Sequence, residues 1–357
     1  MKVVIIGGGV AGLAIGWRLA EAKNEVVLLE RAQPAQGASW AAAGMIAVTA
    51  ELLDAHAAEI EFARYSNALW PAFAEKIEAV SNRSVGYARP GSLMLAEDQA
   101  ALTRLAKRAV DGLEILTPAE LRARFPMLTD KAAGALWSPK EAQVDSRALG
   151  AALAVAFQRA GGKLIANEAV IRIERRDGVA AIAHTPFGLY HADIFVLAAG
   201  AWSGMIEPEL APITPVKGEM IALSVPKGAQ LPGPAVWGAG VYMVPREDRL
   251  LIGATAQSAG FDTSLTDSAR EFLKRGAEAL MPETKDWKVT DHWAGLRPRS
   301  PDGLPMLGPT HTPGLWLAGG QYRNGILFAP AIAENIAGQL LGKTVPIPAF
   351  DPRRIKP

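Results

Sequence analysis

Three glycines, at positions 7, 9 and 12 of the stretch VVIIGGGVAGLAIGWRLA (residues 3–20), are spaced G-x-G-x-x-G, and a carboxylate, Glu30, follows eighteen residues after the last of them. That pattern suits a dinucleotide. Gly7 makes the tight turn, Gly9 lets a pyrophosphate approach the backbone, and Gly12 packs helix on strand. Val10 and Ala11 lie in the turn whose free N–H groups attract phosphate. Glu30 is placed to take two ribose hydroxyls. A second chemical residue is Arg297, which leaves the apolar strand DHWAGL between Leu296 and Pro298. A buried arginine needs a partner, and its planar fork holds a carboxylate through two parallel hydrogen bonds. That carboxylate belongs either to the protein, with Asp302 near in sequence, or to a substrate.

These residues need elements to position them. Val3–Ile6 reads as a buried strand, Leu13–Ala22 as a helix and Glu25–Glu30 as a second buried strand, the start of a βαβ unit. The apolar run resembles a secretory signal, but five of its fifteen residues are Gly, and glycine weakens such a helix. The run is therefore expected to be retained, with a cytoplasmic address. A long helix is predicted over 51–80, a turn and strand over 86–96, and helices over 98–112 and 118–125, the last capped by Thr117 with Pro118 in its first turn. Helix 146–160 ends at Gly161-Gly162. Strands follow at 163–166, 169–175, 179–184, 187–190 and 194–198, with Asp177-Gly178 as a hairpin turn. The last ends at Gly200, a second point of close backbone approach. Short strands at 219–225, 241–245 and 249–254, helix 267–280, strand 314–320 and a helix from near Pro330 to Leu341 complete the pattern. The tail after Gly342 is expected to lie strapped on the surface or frayed.

Composition excludes several classes. The chain has 357 residues, half of them hydrophobic, with 37 basic and 36 acidic side chains. A net charge of +1 calls for neither nucleic acid nor an anionic membrane. Fifteen apolar residues fall short of the roughly 18 that span a bilayer. With no cysteine there are no disulfides, thiolate metal sites or cysteinyl cofactor link. The five histidines show no H-x-x-x-H spacing, so no metal site is expected. A homo-oligomer remains compatible with all of this.

GASWAAAGM (37–45), GAWSG (200–204), VKGEM (216–220), YMVPR (242–246), GLRPRSPDGLPMLG (295–308) and RNGILFAP (323–330) together resemble the glycine oxidase branch of the D-amino-acid oxidase superfamily, in the same order over nearly the whole chain. The resemblance implies an α/β fold. It pairs a Rossmann-like FAD-binding domain (1–85, 146–215 and 295–357) with an antiparallel-sheet substrate domain (86–145 and 216–294). It implies non-covalent FAD and oxidation of a small amino acid or amine, members often serving thiamine thiazole assembly. In the family the small-residue stretch contacts the flavin, which maps onto Ala38, Ser39, Ala43, Gly44 and Met45, directly after Glu30 and Arg31. A tight helix-packing seam would favour the same small residues. Val170 matches the position that pairs its backbone with the adenine. Gln321, Tyr322, Arg323, Asn324, Gly325, Ile326 and Leu327 match a second cofactor loop between strand and helix, where free N–H groups suit negative charge on a reduced flavin. Arg297 and Tyr242 match the residues that clamp the substrate carboxylate, and Arg323 one placed by substrate and flavin.

The sequence departs from the family at Gly240, where the reference has His, at Gln321-Tyr322, and at Ala256, where it has Met. These changes leave the preferred substrate open. The reading is oxidative deamination by hydride transfer to the flavin, with O2 reduced to H2O2. A dehydrogenase using another acceptor is an alternative, and a flavin-containing RNA-modifying module is an alternative of another class.

Overall fold

The computed structural model describes residues 1–52, 55–107 and 112–355. Residues 53–54 and 108–111 of two expected helices lie outside them. Apolar β-branched runs are stable as strands when both faces are covered. Lys2–Ile6 and Glu25–Leu29 are such runs, paired in parallel from Lys2↔Glu25 to Ile6↔Leu29. They sit inside a six-stranded sheet ordered Met306–Pro309, Leu315–Gly319, Ile194–Leu197, Lys2–Ile6, Glu25–Leu29, Lys163–Ile165. The first of these runs antiparallel to its neighbour.

Alternation along the strands sorts the two faces. Val3, Ile5 and Leu28 pack under the helices Val10–Glu21, Ala57–Ser81, Ser146–Arg159 and Ala329–Leu340. Val4, Ile6 and Leu29 pack against Ile173, Ala180 and Ala183 of a three-stranded sheet, Arg172–Arg176, Val179–His184 and Leu189–His191. The apolar N-terminal run is thus the middle of the fold: ten residues of helix Val10–Glu21 are buried.

An eight-stranded sheet takes the rest, ordered Val289–Arg299, Thr214–Ser224, Arg249–Gly253, Val241–Pro245, Ala235–Gly238, Ser92–Ala96, Gly134–Ser138, Glu114–Leu116. Only the pair Ala235–Gly238 with Ser92–Ala96 is parallel. Helix Asp267–Leu280 covers one face through Leu273, Ala277 and Leu280. The other face turns Met220, Tyr242 and Trp293 toward Ala41, Ala43 and Met45.

Several expectations shift. The long helix begins at Ala57, capped by the His56 ring, which accepts from the Ala58 N–H; Val48–Glu51 is a separate short helix. Strand 169–175 begins only at Arg172, leaving Ala169–Ile171 irregular, and strand 187–190 is Leu189–His191. Strands Glu114–Leu116, Gly134–Ser138 and Ala235–Gly238 were not legible, being short and without clear alternation. Thr117 and Glu120 form a reciprocal capping box. The tail is strapped down: Phe350 is fully buried with its ring 5.2 Å from that of Phe62. The boundaries expected at 215/216 and 294/295 fall within Thr214–Ser224 and Val289–Arg299, which pair along most of their length.

Candidate active site

A cavity of about 850 Å³ runs between the two large sheets, large for a small-molecule site. Its lining joins the first turn (Gly7, Gly9, Val10, Ala11), Glu30 and Arg31, the small-residue stretch (Ala38, Ser39, Ala43, Gly44, Met45), Val170, Gly200, and residues Gln321 to Ile326. Tyr242 and Arg297 close the far end. One cavity contact expected from the resemblance is not there, that of Leu327, and Gly12 takes the packing place expected of it. Gly12 and Leu327 do not line the cavity, for reasons the local geometry supplies.

At the glycine turn, Gly7 has φ +110°, and a β-carbon on it would stand 2.5 Å from the Ala198 carbonyl oxygen. A β-carbon on Gly12 would stand 2.0 Å from the Gly7 oxygen. Gly12 therefore lets the helix meet the turn and is a packing residue. Helix Val10–Glu21 begins with no acid in its first turn and no side chain at the cap. The Val10 N–H donates to Ser39 Oγ at 2.9 Å. Glu30 is pinned by two backbone donors, Gly8 N–H at 2.6 Å and Ala32 N–H at 2.9 Å. Its neighbour Arg31 lies over Trp202, guanidinium carbon 3.5 Å from the ring centroid.

The small-residue stretch is held from the opposite sheet. Arg246 donates to the Ala43 carbonyl at 2.5 Å and to Val144 at 2.8 Å, and Trp293 Nε1 donates to Ala41 at 3.1 Å. Arg246 comes from the YMVPR stretch, in which the sequence reading gave a role to Tyr242 alone.

The loop after Leu315–Gly319 is fixed from three sides. Tyr322 N–H donates to Pro298 at 2.9 Å, which brings Arg323 to the strand that carries Arg297. Asn324 Nδ2 donates to Glu59 at 3.1 Å. The Leu327 carbonyl accepts from Ser66 Oγ at 2.6 Å and Trp70 Nε1 at 3.0 Å, so Leu327 anchors the loop to a helix instead of facing the cavity. Two buried polar atoms of this loop have no partner among the described residues, Gln321 Nε2 and Asn324 Oδ1. Buried polar groups are rarely left so.

The far end is cationic. Arg297 Nη1 donates to the Thr255 carbonyl at 3.0 Å. The alternative partner Asp302 is taken: it binds Arg354 at 2.7 and 2.9 Å. Neither Arg297 nor Arg323 has an acid within 4 Å among the described residues. The Tyr242 hydroxyl donates to Met220 Sδ at 3.5 Å. Burial pushes its pKa up to about 12, opposed by Arg297 and Arg323, so at neutral pH it stays a donor.

Among the lining residues that sequence reasoning did not single out are Glu51, Trp237 and Trp202. Glu51 lay hidden at the start of an expected amphipathic helix. Burial raises its pKa, while the nearby Arg323 and Arg297 guanidinium groups and the Trp237 indole favour the carboxylate. Trp237 sits on a strand that had no sequence signal, opposite Tyr242 in register.

The donor set fits FAD on three observations: a turn with no room for side chains, two orphaned buried polar atoms, and a carboxylate at the strand end. The chain matches the family model DAO, "FAD dependent oxidoreductase", over residues 2–339. It is 33% identical to the glycine oxidase of Pseudomonas aeruginosa, covering all of this chain and 98% of that protein. It is 36% identical to the bifunctional protein ThiO/ThiG of Trichormus variabilis over 94% of this chain, spanning about half of that relative's length (52%). The crystal structure of glycine oxidase from Geobacillus kaustophilus superposes with a TM-score of 0.94 at 32% identity, covering 99% of this chain and 98% of that one.

Proposed function

Because the chain belongs to the DAO family of FAD-dependent oxidoreductases, we propose that it oxidises the C–N bond of glycine or another small amino acid, giving an imine and then an oxoacid and ammonia. O2 is the acceptor and becomes H2O2. The observation that carries this reading is the convergence of Arg297, Arg323 and the Tyr242 hydroxyl at one end of a cavity whose other end is the glycine turn and Glu30.

Gly7, Gly9 and the first turn of helix Val10–Glu21 would receive the pyrophosphate, Glu30 the ribose, and Val170 the adenine end. Residues 38–45 and 321–326 would flank the ring. When bound, FAD supplies the two-electron acceptor. The chain's own work is positional. Arg297, already fixed by the Thr255 carbonyl, presents its remaining N–H groups to the substrate carboxylate. Tyr242 donates from its hydroxyl to the same group. Holding one end of a small substrate in a closed cavity converts an encounter into an intramolecular alignment, so no dedicated base is invoked. The domain division expected from the sequence, 1–85, 146–215 and 295–357 for the cofactor-binding domain and 86–145 and 216–294 for the substrate-binding domain, is kept in this reading, with Arg297 and Arg323 reaching the substrate from the first. The reading includes a cytoplasmic setting. Supply of the imine to thiamine thiazole synthesis is supported by the likeness to ThiO/ThiG.

Anaerobic mixing of the flavin-loaded protein with glycine, sarcosine, D-alanine and D-proline tests this, reading loss of flavin absorbance, followed by peroxide release in air. No bleaching with any of them would overturn the amino-acid reading. Bleaching without peroxide would make it a dehydrogenase.

A further inference from the structure

Among the described residues, the substrate end of the cavity holds two guanidinium groups, Arg297 and Arg323, and one carboxylate, Glu51. The other charged lining residues, Glu30, Arg31 and Glu168, belong to the nucleotide end. There Glu168 accepts from Thr185 Oγ1 and Tyr190, and its N–H donates to the Glu30 carbonyl. With Glu51 ionised, the form that Arg323 and Arg297 favour against burial, the described charges of the substrate end sum to +1, the complement of one carboxylate, whereas two arginines alone would match two.

The position of Glu51 is built. Its short helix Val48–Glu51 is held by the buried carboxyl of Glu141, which accepts from the Thr49 N–H and from Ser92 Oγ. Glu141 does not line the cavity; burial raises its pKa, and the nearby Glu51 carboxylate pushes it the same way, both favouring the neutral acid at Glu141. Trp237, the neighbour of Glu51, lies directly across from Tyr242 in the sheet. Glu51 lines the same cavity as the arginines and the tyrosine and is close enough to feel the charge of both guanidinium groups.

We propose that Glu51 restricts this cavity to substrates with a single carboxylate, by acting as the resident counter-charge to the second of its two arginines. This rests on the amino-acid reading above and deepens it. A second acid on the substrate nitrogen or side chain would meet Glu51, and like charges at close range in a low dielectric repel strongly. Glu51 is thus a specificity residue.

The test uses two inert ethers of the same shape, diglycolate and its monoamide, titrated into the flavin-loaded protein at pH 8.5 with flavin absorbance as readout. They differ by one charge and contain no oxidisable amine. The parent should bind the monoamide at least tenfold more tightly. Glu51→Gln should reduce that preference at least tenfold, and Glu51→Asp, which keeps the charge, should retain it. Equal binding of the two ethers by the parent overturns the proposal and needs no variant. An unchanged preference in a folded, flavin-loaded Glu51→Gln protein also overturns it. A parallel turnover assay with iminodiacetate and its monoamide should show the same shift. Absence of turnover on any amine, with the ether preference intact, would sink the oxidase reading while leaving the role of Glu51 standing.

Discussion

The Arg297 guanidinium lies on the bare backbone of Gly218: a β-carbon there would stand 2.0 Å from Nη1 and 2.5 Å from Cζ. The two strands are neighbours, with Gly218 opposite Gly295 and Val216 opposite Arg297. The missing side chain is what lets the arginine fold across its sheet and reach the Thr255 carbonyl. Gly218→Ala should displace the guanidinium without touching the nucleotide end. We expect kcat/KM to fall about 10- to 100-fold, equivalent to roughly 1.4–2.7 kcal/mol, at normal flavin content. Unchanged kinetics would show that the arginine's pose is irrelevant.

Arg297→Lys should be harmful although it keeps the charge, because an ammonium cannot present the planar fork. Losing one or two charge-assisted hydrogen bonds costs on the order of 1.5–3 kcal/mol each, or about 10- to 150-fold per bond in substrate affinity or turnover. A matched amine without a carboxylate should be a poor substrate for the parent and lose little further in the variant. Equal losses for both, with a lowered melting temperature, would mean that Arg297 holds the fold.

Glu30→Ala should weaken FAD binding by about 10- to 150-fold, through loss of charge-assisted bonds worth roughly 1.5–3 kcal/mol each. The structure adds a second effect, since Glu30 also accepts from the Gly8 and Ala32 N–H groups. The melting temperature of the flavin-free protein should fall too. Fluorescence titration of FAD checks the first effect and thermal melting the second. Retained FAD affinity would remove Glu30 from the cofactor site.

The Tyr242 hydroxyl gives a pH prediction. Its pKa is pushed up to about 12, first by burial, so the folded state keeps a proton that the unfolded chain loses near pH 10. The resulting stability is complete below about pH 10 and is lost as pH rises toward 12. Tyr242→Phe should flatten that part of the unfolding profile. Denaturant midpoints measured from pH 8 to 11.5 check this, and parallel curves for parent and variant would contradict it. Between pH 6 and 9.5, kcat/KM should show no loss traceable to tyrosine ionisation.

Much of the site was legible wherever chemistry forces a residue type at a local spacing. Gly7 with Glu30, the small residues 38–45, and the loop 321–327 are each contiguous or separated by one βαβ step. Arg297 was legible as a cation on an apolar strand in need of a partner, and it is half-buried in the fold. The choice of partner was not, because Asp302 is only five residues away and in the fold belongs to Arg354, which the strapped tail brings back from the far end of the chain. Leu327 was assigned to the cofactor loop by motif, and its carbonyl anchors that loop to a helix instead, whereas Gly12 packs helix on turn as its place in the motif implied. Glu51 and Trp237 carried no signal: one ends a four-residue helix and the other lies on a four-residue strand, both too short to show a period.

The sequence alone determined the first βαβ unit, the class of cofactor and the family, because those depend on backbone freedom, strand burial and motif order, all written locally. The tertiary structure decided which charges meet. Arg297, Arg323 and Glu51 come from three segments separated by more than two hundred residues of chain at the widest. Their sum depends on the pairing of strand Val289–Arg299 with Thr214–Ser224 and on the bond from Tyr322 to Pro298. Long-range register of that kind has no local signature, so the electrostatic character of the substrate end appears only once the sheets are closed over it.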